Sequence, residues 1–184
     1  MRSSFLEAGR FLLYFFVSFF VVSFLFSLIP YEFFALFFAK LSLFVLSFFG
    51  VYGEIYSERP VLLSLSIFKE KIWLSYLCTG LLELFVVWSS ILATKTKDFL
   101  EKALGLFLAV VFILIFNTFR IVLSILVISW FGLEVAFFSH DFFFRVFLFF
   151  SIFVFYALWL FYSKKILGFL KEVLRKGLNT KKEF

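Results

Sequence analysis

Cysteine, histidine and methionine each occur once in this 184-residue chain, and proline only twice. A lone cysteine, Cys78, excludes an internal disulfide. With His140 as the sole imidazole, no metal site can be assembled from cysteine and histidine pairs. Nothing in the sequence asks for a metal or a cofactor, and one thiol says nothing about redox compartment. Charge is also scarce, at 16% of residues, where globular domains carry about 25%. There is neither a glycine-rich phosphate loop nor a G-x-S-x-G turn, which removes two common nucleotide-binding and hydrolase signatures.

What is present is apolar surface. Hydrophobic residues make up 64% of the chain and aromatics 26%, including 36 Phe. A soluble domain of this length still exposes about a third of its surface and cannot hide that surplus. Lipid can, and Phe is among the residues that favour the centre of a membrane helix. Apolar blocks run over Phe11–Ile29, Phe33–Phe49, Leu77–Ala93, Ala103–Phe131 and Phe142–Tyr162. Each lies near or above the ~20 residues a bilayer core requires, allowing for tilt. The first is too long for a signal-peptide core and no small-x-small cleavage site follows it, so it reads as a spanning helix of the mature protein. The expected fold is an all-α integral membrane protein: one membrane domain over 1–184, with about four to six transmembrane helices.

The net charge of +6 sits mainly at the C-terminus. Residues 163–184 hold seven cations against Glu172 and Glu183, directly after a spanning block. That is the pattern of a cytoplasmic tail held by anionic membrane lipid, not of a nucleic-acid site. Lys95, Lys97 and Lys102 put the loop before Ala103 on the same side, and Arg2 and Arg10 vote weakly for an inside N-terminus. Gly132–Asp141 and residues 50–76 then fall outside. If both early blocks span, however, the N-terminus is outside; if Phe33–Phe49 is interfacial or re-entrant, it is inside. Lys40 favours an interfacial or bundle-facing helix, because a lipid-facing lysine at mid-depth is costly. In the external stretch, Leu63, Leu65 and Ile67 alternate with Ser64 and Ser66, the period of a short half-buried strand. A small extended element is therefore expected just before Cys78.

Polar groups inside lipid are expensive and usually have a reason. Three clusters qualify: Leu77-Cys78-Thr79-Gly80 at the external start of one helix, Asn117-Thr118-Phe119-Arg120-Ile121 deep in an apolar run, and Ser139-His140-Asp141 at the external start of the last helix. Arg120 lies 17 residues beyond Ala103, roughly 25 Å along a helix, near the outer edge of a ~30 Å core. The topology therefore brings all three to one depth. A thiol at a helix N-terminus with cations nearby is expected to ionise below its reference of ~8.5. His140 can carry a proton near neutral pH. Arg120 can stabilise a thiolate or a developing oxyanion. Asn117 shares its helical face and can hold the guanidinium or add a donor. This set suits attack on a backbone carbonyl to give a thioester. Structural alternatives stand beside it: a salt bridge of Arg120 with Glu83 or Glu134, and an interfacial role for Asp141 and Arg145.

These residues resemble the exosortase/archaeosortase family. The matching features are Cys78-Thr79-Gly80 with Glu83 shortly after, Asn117-x-x-Arg120-Ile121, and Glu134 followed by His140, in order and with helices between. The resemblance covers nearly the whole chain, most specifically residues 50–145. It implies a prokaryotic multi-pass membrane transpeptidase, with Cys78 as nucleophile at the extracytoplasmic face and Arg120 and His140 beside it. The implied substrates are secreted proteins ending in a short motif, a spanning helix and a basic tail; the implied acceptor is a lipid-linked amine. Two rivals follow from the residues alone. One is a non-enzymatic membrane subunit with an Arg120, Glu83 and Lys40 ion network; the other is a small transporter using Arg120 as an anion site. The latter predicts internal pseudo-symmetry, which is not found.

Overall fold

Pro30 divides the first forty-seven residues. Proline lacks an N–H and disfavours helical geometry in the residue before it, so α1 (Arg2–Ser27) ends and α2 (Tyr31–Ser47) begins with Pro30 as its N-cap. The computed structural model describes residues 2–57, 61–67, 71–95, 97–132 and 144–180. After α2 come strands β1 (Gly53–Tyr56), β2 (Val61–Leu65) and β3 (Ile72–Leu74), and then a 3-10 turn over Tyr76–Cys78. Helices α3 (Leu81–Ala93), α4 (Phe99–Phe131) and α5 (Phe144–Thr180) complete the chain. Among the described residues, three stretches are long and apolar enough to cross a membrane: Leu6–Ser27, Phe99–Phe131 and Val146–Phe169. Helix α3 is apolar but has only 13 residues.

Helix α4 is the central element. Of its apolar window, 39% is buried, against 6% for α1 and 17% for α5. It is unbroken from Phe99 to Phe131. Paired contacts fix the directions. Asn117 meets Cys78 and Trp88 meets Leu106, so α3 runs antiparallel to α4. Phe116 stacks near Phe147, and Glu101 meets Trp159, so α5 is also antiparallel to α4. Tyr14 lies under Lys95 while Phe26 packs on Phe85, which makes α1 antiparallel to α3. Helix α1 therefore runs in the same sense as α4. So does α2, whose early residues Phe33 and Phe37 border a cavity with Ile113 and whose later Val45 and Phe49 border one with Val122 and Trp130.

The strands form an antiparallel sheet in the order β1-β2-β3, with Leu63 opposite both Ile55 and Ile72. Val61, Leu63 and Leu65 are buried and their neighbours are not, the period-2 pattern of a sheet with one covered face. That face packs on Leu46 and Val51 after α2 and on Ile121, Val122 and Ile125 of α4. Two expectations need correction here. The strand ends at Leu65, and Ile67 lies in the following turn, 42% exposed, because the alternation outlasts the pairing. Lys40 is exposed on α2 instead of facing the bundle, because α2 buries Ala35, Phe38, Ala39 and Ser42 on its packed face.

At the far end of α4 a buried polar clasp joins α4, α5 and the α3–α4 loop. Glu101, 2% exposed, binds Lys97 at 3.1 Å and accepts the Ser163 hydroxyl at 3.0 Å; Lys97 also donates to Ser163 at 2.7 Å. The Trp159 indole donates to the Glu101 carbonyl at 3.1 Å. Its ring lies flat against Gly105, where a Cβ would fall 2.3 Å from the indole nitrogen. A Gly105→Ala substitution gains up to ~1 kcal/mol in helix propensity but overpacks a rigid ring, which costs about 1–3 kcal/mol. The overpacking is expected to win, so thermal unfolding in detergent should show a lower Tm than wild type; an unchanged or higher Tm would contradict the packing.

Candidate active site

The residues around Cys78 are shaped by a turn, not by a helix start. Ser75 follows β3 in extended geometry, and its carbonyl accepts the Cys78 N–H at 2.9 Å. The Tyr76 carbonyl accepts both the N–H of Thr79 at 3.1 Å and its hydroxyl at 2.6 Å. Gly80 then takes a left-handed conformation, φ 69°, as N-cap of α3. Only glycine does this without strain, and a Cβ there would also stand 3.0 Å from Cγ of Asn117. Cys78 is thus two residues ahead of α3, a correction to the expected helix start; the glycine reversal needs a turn before the helix can begin.

Two side chains of α4 fasten this turn. Asn117 Nδ2 donates to the Cys78 carbonyl at 2.7 Å, and Arg120 Nη2 donates to the Leu77 carbonyl at 2.8 Å. The two residues stand three apart, hence on one helical face, and are 2% and 6% exposed. Arg120 Nη1 also reaches Glu83 Oε1 at 3.4 Å, in the first turn of α3. Of the two salt-bridge partners left open by the sequence, the described one is Glu83; Lys40 takes no part. Asn117 serves the backbone of Cys78 and not the guanidinium. Among the described residues, Arg120 Nε and Asn117 Oδ1 are buried with no hydrogen-bond partner, an uncommon situation for groups with a desolvation cost.

The thiol packs against the edge of the core beneath the sheet. Cys78 is half-buried, and its sulfur is 3.4 Å from the Ser75 hydroxyl. Burial, with the Glu83 carboxylate as a smaller cause, holds the neighbouring Tyr76 phenol above its ordinary range. On the other side of Thr79 and Gly80 is an apolar cavity of about 260 Å³ bordered by phenylalanines of α1 and α2.

Cys78, Asn117 and Arg120 are therefore brought together. His140 lies outside the described residues, as do Glu134 and Asp141. Ser75 was not singled out from sequence, although Ser-x-x-Cys ahead of a glycine has the spacing of a turn in which i and i+3 side chains meet. The acceptors of the two α4 donors are main-chain atoms and have no sequence signature. Comparisons with family models, with curated proteins and with solved structures find no match to this chain.

Removing Arg120 leaves the Glu83 carboxylate and the Leu77 carbonyl without their partner. Arg120→Met is expected to destabilise the protein by about 3–5 kcal/mol, the usual cost of breaking a buried pair from one side. Adding Glu83→Leu should restore part of that loss. Denaturant unfolding of the two variants checks this, and additive losses would contradict the pairing.

Proposed function

We propose that this chain is a membrane-embedded cysteine transpeptidase of the exosortase/archaeosortase type, acting at the outer face of a prokaryotic cell membrane. The supporting observation is that Arg120 and Asn117 hold the two consecutive carbonyls on either side of the Cys78 Cα, beside a half-exposed thiol. An arginine and an asparagine in an apolar helix are costly, and here both are spent on positioning one cysteine.

Helix directions support a topology. Since α1 and α2 run in the same sense, they make one crossing broken at Pro30; α3, α4 and α5 make three more. The N-terminus then lies inside with Arg2 and Arg10, and so does the C-terminus. This reconciles the two votes that conflict in the sequence. Lys97 and Lys102 lie at the Glu101 end of α4, which fits the cytoplasmic side. Arg120 is 21 residues beyond Phe99, about 32 Å at the helical rise, close to the outer boundary of a ~30 Å core.

In this reading the Cys78 thiolate attacks the carbonyl of a juxtamembrane peptide bond in a substrate that reaches the site by lateral diffusion. The tetrahedral oxyanion draws on the positive charge of Arg120, whose Nε–H is uncommitted among the described residues. The C–N bond breaks, and the leaving amine takes a proton from His140, leaving a Cys78 thioester. A lipid-linked amine then attacks the thioester and loses a proton to His140, and the thiolate departs. Exclusion of water at the lipid boundary favours the amine over hydrolysis.

One observation favours a second reading. The Arg120 bonds to Glu83 and to the Leu77 carbonyl would serve a non-enzymatic membrane subunit equally well. Cys78 separates the two. Protein purified from its native membranes is expected to carry a hydroxylamine-labile acyl adduct on Cys78, seen by mass spectrometry, and His140→Ala should change its level. Cys78→Ala should fold with an unchanged Tm yet carry no adduct and process no substrate. An unmodified Cys78, with processing intact in the alanine variant, would remove the transpeptidase reading.

A further inference from the structure

The sulfur of Cys78 has a neighbour for which the mechanism above has no use. Ser75 Oγ is 3.4 Å from it, and the same residue binds the Cys78 N–H through its carbonyl at 2.9 Å. Ser75 is itself placed by the sheet: it follows directly on β3, whose Leu74 pairs with the buried Val61 of β2. One residue thus holds the cysteine by main chain and side chain together, from a rigid element. We infer that Ser75 is a positioning residue for Cys78, its hydroxyl donating to the sulfur and favouring the thiolate. A hydroxyl can give a proton to a thiolate hydrogen bond without losing it, so the sulfur keeps its nucleophilic lone pairs. For its functional meaning the inference rests on the transpeptidase reading.

Other charged or titratable groups also bear on this sulfur. Arg120 on α4 favours the anion, and Glu83 in the first turn of α3 opposes it. Tyr76 lies in the same turn, edge-on to Tyr31 of α2. His140 is a further titratable group, outside the described residues. A measurement on Ser75 must therefore separate it from these.

The single cysteine makes that possible, because any thiol reagent reports one site. Alkylation of the full-length protein in detergent by iodoacetamide, followed by intact mass across pH 5–10, gives the profile of Cys78. Wild type is expected to reach half-maximal rate below the ~8.5 of a free cysteine. Ser75→Ala should move the profile up by about one pH unit, roughly ten-fold slower labelling at pH 7, and Ser75→Thr, which keeps the hydroxyl, should restore it. The same shift should appear in a His140→Gln background, so that imidazole titration is not its source. Coincident wild-type and Ser75→Ala profiles, or a Ser75→Thr variant that behaves like alanine, would overturn the inference. If Ser75→Ala does not fold, the wild-type profile decides: a midpoint at or above that of a free cysteine also overturns it. Absence of a thioester on Cys78 would sink the transpeptidase reading and leave the alkylation shift untouched.

Discussion

Two carbonyl groups, those of Leu77 and Cys78, take their hydrogen bonds from side chains of α4, and the fold around them is arranged to supply those bonds. A buried carbonyl without a partner costs about 1–3 kcal/mol. Asn117 and Arg120 reach them from the next element, at 2.7 Å and 2.8 Å. The turn can occupy only the height on α4 at which both donors are met. That fixes Cys78 relative to the long helix. Gly80 lets the backbone come close enough; its missing side chain is the space that Asn117 fills.

The rest of the architecture holds this contact from two sides. The sheet packs on the C-terminal half of α4 through Ile121, Val122 and Ile125 and delivers Ser75 to the turn. At the opposite end the Glu101, Lys97 and Ser163 clasp ties α5 and the α3–α4 loop to the same helix. Helix α4 therefore carries both of these buried polar clusters, separated by about five turns that are mostly apolar. Between them, rigidity comes from packing such as Phe112 against Phe155, with ring centroids 4.9 Å apart.

Much of this was legible in the residues. The apolar blocks mark the helices, and the break after Ile29 is announced by Pro30. Asn117 and Arg120 stand out because polar groups in such a run are costly, and the alternation around Leu63 gives the burial pattern of β2. What could not be read has a common cause: it depends on main-chain atoms or on partners distant in sequence. The acceptors of Asn117 and Arg120 are carbonyls, the pairing of β1 and β3 with β2 is a matter of register, and the shared direction of α1 and α2 follows from contacts such as Tyr14 with Lys95. Ser75 is a single serine between Leu74 and Tyr76, where its side-chain contact with Cys78 depends on a turn that the sequence does not announce. Lys40 left two placements open, interfacial or bundle-facing, and the second fails because Ala35, Phe38, Ala39, Ser42 and Leu46 take the packed face of α2.

The central claim is that a reactive thiol is held at the outward edge of the membrane by the donors of α4. Treating intact cells that express the chain with a membrane-impermeant maleimide tests it most directly, since Cys78 is the one thiol the reagent can find. The account predicts labelling of Cys78 from outside without permeabilisation. Labelling that appears only after the membrane is opened, from the cytoplasmic side, would contradict it.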